Sequence, residues 1–182
     1  HKENVRYTRS EGLELSGTLY LPPGYDPEKQ APLPTLLWVY PEEHKSRETA
    51  SQVTTSENSF GRPSRASVMF LLTQGYGLLL GASMPIIGEA NAEPNDTYIE
   101  QLIDSAEAAV NYLVERGVSD PERIAIGGHS YGAFTTANLL AHTDLFAAGI
   151  ARSGAYNRSR TPFGFQGEQR SYLEATDTYN RM

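Results

Sequence analysis

Leu13, Leu15, Gly17, Leu19 and Leu21 alternate with Glu14, Ser16, Thr18 and Tyr20. A period of two puts each set on one face, so this stretch predicts a half-buried strand, with Val5–Thr8 as its hairpin partner. Pro22-Pro23-Gly24-Tyr25-Asp26-Pro27 ends it in a turn-rich loop. Leu36-Leu37-Trp38-Val39, Gly77-Leu78-Leu79-Leu80, Ile124-Ala125-Ile126-Gly127 and Ala148–Ala151 are continuous runs of apolar and small residues, the pattern of strands buried on both faces. Ile99, Leu102, Ile103, Ala106, Val110 and Leu113 recur at helical spacing. They predict a long helix capped by Asn95 or Asp96 and stopped at Arg116-Gly117. Ser67–Gln74 reads as a short helix. Residues 85–95 read as a Pro/Gly/acidic loop, residues 41–65 give no clear element, and residues 154–182 read as loop with a short helix near Leu173. Strands alternating with helices predict an α/β fold, a mostly parallel sheet flanked by helices in one domain over residues 1–182.

The third buried strand runs into Gly128-His129-Ser130-Tyr131-Gly132, and a helix-forming run, Ala133–Ala141, follows. Strand, Gly-x-Ser-x-Gly, helix is the setting of a nucleophile elbow. The serine must stand on a tight, strained turn. Glycines two before and two after keep side chains out of its crowded flanks. The helix then points its amide end at the oxygen that turns negative in acyl transfer. A glycine-rich strand-to-helix turn with an incidental serine is the alternative. Upstream, Asp120-Pro121-Glu122-Arg123 predicts a turn with Pro121 fixing its backbone.

Composition narrows the chemistry. The 182 residues carry 22 acidic and 15 Lys/Arg side chains, a formal net charge of −7. That balance argues against nucleic acid, whose affinity comes largely from neutralised phosphates. There is no cysteine, which excludes disulfides, thiolate catalysis and cysteine-based zinc sites. Glu89, Glu93 and Asp96 match no metal-loop spacing, and no phosphate loop is present, so no cofactor is expected. No run approaches the roughly 20 apolar residues that span a bilayer, and no signal peptide is visible. A soluble chain without a membrane partner is expected, in a compartment the sequence does not reveal. The first residue, His1, suggests a processed product or a piece of something longer.

Three sets of residues together resemble the prolyl oligopeptidase family of serine peptidases: Trp38-Val39-Tyr40-Pro41, Asp120-Pro121-Glu122-Arg123-Ile124, and Gly127-Gly128-His129-Ser130-Tyr131-Gly132. Within it, the chain is most like the glutamyl endopeptidases of plastids and bacteria. That likeness lies in Pro85-Ile86-Ile87-Gly88-Glu89, Gly127–Ala141, Gly149–Arg158 and Thr161-Pro162-Phe163-Gly164-Phe165-Gln166. The resemblance implies an α/β-hydrolase fold, usually preceded by a gating β-propeller. No propeller-like series of strands occurs here. It also implies a triad in the order serine, aspartate, histidine. After Ser130 the only histidine is His142, inside the elbow helix, and Glu168, Glu174 and Asp177 follow the fourth strand too closely to be the aspartate. The chain is therefore expected to be a catalytic domain without its last strands and helices. Alone it would be nearly inactive, because a serine hydroxyl without a base is a weak nucleophile. The missing aspartate and histidine would come from a further segment.

The resemblance further implies that the Tyr40 hydroxyl and the Tyr131 backbone amide form the oxyanion hole. A core aromatic at a strand end is the plainer reading of Tyr40. Arg152, Arg158, Arg160 and Arg170 cluster with only Glu168 opposing them, against the sign of the whole chain. A half-buried guanidinium can hold a carboxylate through two parallel hydrogen bonds. Arg158, and after it Arg152, are thus candidates for binding an acidic side chain before the cut; solvated surface arginines are the alternative. Tyr156, Phe163 and Phe165 are candidates for apolar pocket surface or for ordinary packing. His129 could shape the pocket but is not placed as the base, and His1 and His44 read as solvated loop residues. Three functions follow: a serine peptidase favouring glutamate before the cut, an esterase or acyl-peptide hydrolase on the same fold, or a non-catalytic module of that fold.

Overall fold

The computed structural model describes residues 1–52, 56 and 58–182. Six strands form one sheet: β1 (Lys2–Thr8), β2 (Glu14–Tyr20), β3 (Leu33–His44), β4 (Gly77–Ile87), β5 (Ser119–His129) and β6 (Ala148–Arg152). Their order is β1-β2-β4-β3-β5-β6. β1, β2 and β4 pair antiparallel, whereas β4, β3, β5 and β6 run parallel. The short helix α1 (Arg47–Ala50) follows β3; α2 (Tyr98–Glu115) precedes β5, α3 (Tyr131–His142) follows it, and α4 (Thr176–Arg181) ends the chain. The predicted mostly parallel α/β architecture is the one found.

The core explains the strand choice. Leu15 and Leu19 of β2, Leu37 and Val39 of β3 and Leu79 of β4 join Leu102, Ala106 and Leu113 of α2 in one buried cluster. Burying each of these leucine and valine side chains contributes about 1.5–3 kcal/mol. Gly17 lets β2 close on β4, because a Cβ there would lie 2.9 Å from Leu79 Cδ1. β6, by contrast, is exposed along its whole length.

Several boundaries differ from the sequence expectation. β4 runs on to Ile87, so Pro85-Ile86-Ile87 is strand rather than loop. In its second half Ala82, Met84 and Ile86 are buried on alternate positions, and Pro85 between the last two is buried as well. A bulge hides that pattern: β3 pairs Trp38 with Leu80 and then Val39 with Ala82, skipping Gly81, whose φ is +60°. β3 likewise reaches His44, so that histidine ends a strand instead of sitting in a loop, with a side chain only 19% exposed. Asp120–Arg123 is an excursion inside β5, between the Leu33–Ser119 and Thr35–Ile124 pairs. Neither Asn95 nor Asp96 caps α2. They lie in a 3₁₀ turn, Pro94–Thr97, and Thr97 stands at the cap without a side-chain bond. Asp96 is used elsewhere, by Arg170 and Thr178. The last helix starts three residues beyond Leu173, which is itself 88% exposed, because the buried residues are Ala175, Thr178 and Tyr179. Of the unplaced stretch 41–65, residues 53–55 and 57 lie outside the described residues.

Candidate active site

β5 and α3 meet at Ser130, whose φ of +57° and ψ of −114° lie outside the regions an L-residue ordinarily occupies. Such backbone costs on the order of 1–3 kcal/mol and persists only when its surroundings enforce it. The enforcing contacts are on both sides. A Cβ on Gly128 would fall 2.4 Å from the Gly132 carbonyl carbon, and one on Gly132 would fall 2.2 Å from the Val39 carbonyl oxygen. The turn can therefore close only with glycine at both places. The Ser130 N–H donates to the Arg152 carbonyl at 2.9 Å, tying the bend to β6. Its carbonyl accepts from the Ala133 and Phe134 amides, which starts α3. The first amides of a helix have no carbonyl a turn earlier within it, so the Tyr131 N–H is a donor at the positive end of the α3 dipole.

The Tyr131 side chain turns inward. Its ring stacks near Tyr98 and Phe134, with centroids at 5.9 and 6.1 Å, and its hydroxyl donates to Glu43 Oε1 at 2.9 Å. Burial foremost, and then the nearby Tyr98 and Glu43, push its pKa far up, so it stays neutral. Tyr40 stands edge-on to Tyr131, ring centroids 6.0 Å apart, at the carboxyl side of β3 where Gly132 packs. It is 45% exposed, so it is not a core aromatic.

Arg158 lies in a box of rings. Its guanidinium carbon is 3.7 Å from the Phe134 centroid, 4.3 Å from Phe165 and 5.0 Å from Tyr131. The residue is only 6% exposed, and its Nε has no hydrogen-bond partner among the described residues. Desolvation pulls its pKa down, opposed by Tyr131, Tyr98 and Glu43. Ring faces attract the cation without using its donors, which leaves the head without a paired carboxylate among the described residues.

The other arginines sit differently. Arg152 is exposed, and its Nη1 donates to the Ala66 carbonyl at 3.1 Å. Arg170 is committed to Glu168 and Asp96, and Arg160 is exposed. Tyr156 is 50% exposed beside Gly154, whereas Phe163 projects into solvent. His129 is exposed at the bend. His142 ends α3, about 18 Å from Ser130 by the length of a 12-residue helix, and its Nδ1 contacts the Asn138 carbonyl at 2.8 Å. It is no base for Ser130. Among the described residues no cluster of three His, Asp or Glu could hold a metal, and no helix is long and apolar enough to cross a membrane. Glu43, Tyr98 and Gln166 were not singled out by sequence. Each meets the site through a contact far along the chain.

The prolyl oligopeptidase family model matches residues 95–180, which include the whole elbow. This chain carries a prolyl oligopeptidase family domain over that stretch. The chain is 56% identical over 183 aligned residues to a probable chloroplastic glutamyl endopeptidase of Oryza sativa subsp. japonica, covering 100% of this chain and 20% of the relative. It is 57% identical to a protein of the same description from Arabidopsis thaliana, over 100% of this chain and 19% of that protein. It thus spans about one-fifth of the curated relatives it matches. Dipeptidyl peptidase 4 of Porphyromonas gingivalis has the same fold, with a TM-score of 0.68 and 23% identity over 99% of this chain and 24% of that one.

Proposed function

We propose that the complete protein is a serine peptidase in which Ser130 forms an acyl-enzyme. The single observation that carries this reading is the strained Ser130 backbone, enforced by the Gly128 and Gly132 contacts. A base removes the Ser130 proton as Oγ attacks the scissile carbonyl; the proton then goes to the leaving amine, and water releases the acyl group. The carbonyl oxygen takes the negative charge, and the Tyr131 N–H and Tyr40 O–H donate to it. The aspartate and histidine come from sequence outside these 182 residues, for which relatives about five times as long leave room. A gating propeller is assigned to the same longer protein. The 182 residues alone are nearly inactive, since loss of the base in another serine protease costs on the order of a millionfold.

Arg158 gives the preference for glutamate before the cut, in keeping with relatives named glutamyl endopeptidases. The support is its desolvated, uncommitted guanidinium beside Tyr131, the residue that follows the nucleophile. Phe165 is the member of the ring box outside the sheet and α3, and a carboxylate reaches the head past that ring. Arg152 and Tyr156 line the outer approach. Labelling of Ser130 by a fluorophosphonate in the complete protein, with cleavage after glutamate in peptides varied at that one residue, tests the reading. Labelling without peptide cleavage would favour an esterase or acyl-peptide hydrolase. No labelling would leave a non-catalytic module.

A further inference from the structure

Residues 165–168 form a tight turn over the site. Phe165 N–H donates to the Glu168 carbonyl at 3.0 Å, and Glu168 N–H returns to the Phe165 carbonyl at 2.8 Å. Its tip, Gln166, has a φ of +49°. The next residue, Gly167, rests on Glu43; a Cβ there would lie 2.9 Å from Glu43 Cβ. Glu168 anchors the turn from below. It is buried and accepts from Arg170 Nε at 2.9 Å and Nη2 at 2.8 Å, and Arg170 Nη2 also donates to Asp96 at 2.8 Å. The turn is therefore fixed between the end of β3 and the start of α2.

From this tip, Gln166 Nε2 donates to the Tyr40 hydroxyl oxygen at 3.4 Å. Polarity decides what the contact does. The phenol oxygen accepts the amide hydrogen, so the phenol's own proton stays free. A hydroxyl that accepts one hydrogen bond is polarised to donate a stronger one. A free, strengthened proton is what an oxyanion donor must present. The left-handed backbone at 166 would suit glycine or asparagine better than glutamine, yet glycine has no side chain and asparagine a shorter one.

We infer that Gln166 is a positioning residue that acts through Tyr40, holding the phenol with its proton directed to the developing oxyanion. The inference rests on the serine-peptidase reading above. A kinetic cycle on the complete protein tests it, using a peptide substrate, with wild type, Q166A, Y40F and Q166A/Y40F. Q166A is expected to lower kcat roughly three- to tenfold with KM unchanged, the effect of one neutral hydrogen bond. In the Tyr40→Phe background the same change should cost nothing, since the hydroxyl it serves is gone. Q166E reverses the polarity: its carboxylate can only accept, so the Tyr40 O–H donates to it instead of to the oxyanion, and Q166E should be slower than Q166A at pH 7. Equal losses from Q166A in both backgrounds, or wild-type rates in Q166E, would overturn the inference. If wild type itself neither labels nor cleaves, the serine-peptidase reading fails instead. If Q166A does not fold, the comparison of wild type with Q166E decides alone.

Discussion

The Arg158 guanidinium lies 3.7 Å from the centre of the Phe134 ring, and Phe134 stands near the start of α3, the helix that Ser130 caps. The proposed specificity residue thereby packs on the same helix that the proposed nucleophile caps. The contact is made by a ring face rather than a carboxylate, so the cation is desolvated without being neutralised. That arrangement stores an unspent donor set within the site.

Arg158→Ala should therefore erase any preference for glutamate before the cut while Ser130 still labels with a fluorophosphonate. kcat/KM ratios for glutamate against glutamine peptides measure this. Arg158→Met, which refills the ring box without the charge, should keep the fold within about 1 kcal/mol, because an unpaired buried cation contributes little net stability. An unchanged glutamate preference in either variant would remove Arg158 from the specificity site.

Tyr40→Phe keeps the ring against Tyr131 and removes only the hydroxyl. Loss of one oxyanion-hole donor lowers the acylation rate by about 10²–10³. Pre-steady-state acylation with an activated ester reads it directly. A rate equal to wild type would return Tyr40 to a packing role.

Gly132→Ala brings a methyl to 2.2 Å from the Val39 carbonyl oxygen, which is backbone and has little room to move. Overpacking of that kind costs about 1–3 kcal/mol. Relief by relaxing the bend would also withdraw Ser130 from its place. Denaturant unfolding and fluorophosphonate labelling should both fall; wild-type labelling would contradict the account of the elbow.

Acid should loosen the turn over the site. Burial acts most strongly on Asp96 and Glu168 and raises their pKa values, but hydrogen bonds and charge from Arg170 outweigh it, and the net shift is downward. A carboxyl with a depressed folded pKa contributes stability above its unfolded value, and that contribution is lost as pH falls through the folded one. The loss should thus begin below about pH 4.5. Hydrogen exchange of residues 164–170 as a function of pH measures it, and Arg170→Met should flatten the profile.

Much of the architecture is readable from apolar patterning, because strands and α2 bury continuous or periodic faces. The second half of β4 is not, since Gly81 shifts the alternation by one residue and Pro85 argues for a loop. The elbow is legible because its glycine contacts are local: position 128 meets position 132. The supporting contacts are not. Tyr131 finds Glu43 across a separation of 88 residues, and Gln166 finds Tyr40 across 126. No local pattern announces a pairing set by the sheet order. Arg158 stands between these cases. Charge clustering pointed to it, but its ring box depends on how residues 158–165 fold back over α3.

The bend at Ser130 has a last consequence. Folding would be easier if a residue without a side chain stood there, since glycine tolerates that φ freely. Ser130→Gly should therefore melt later than wild type while losing all labelling. Durability and reactivity compete at a single position, and here the chain has yielded the former to the latter.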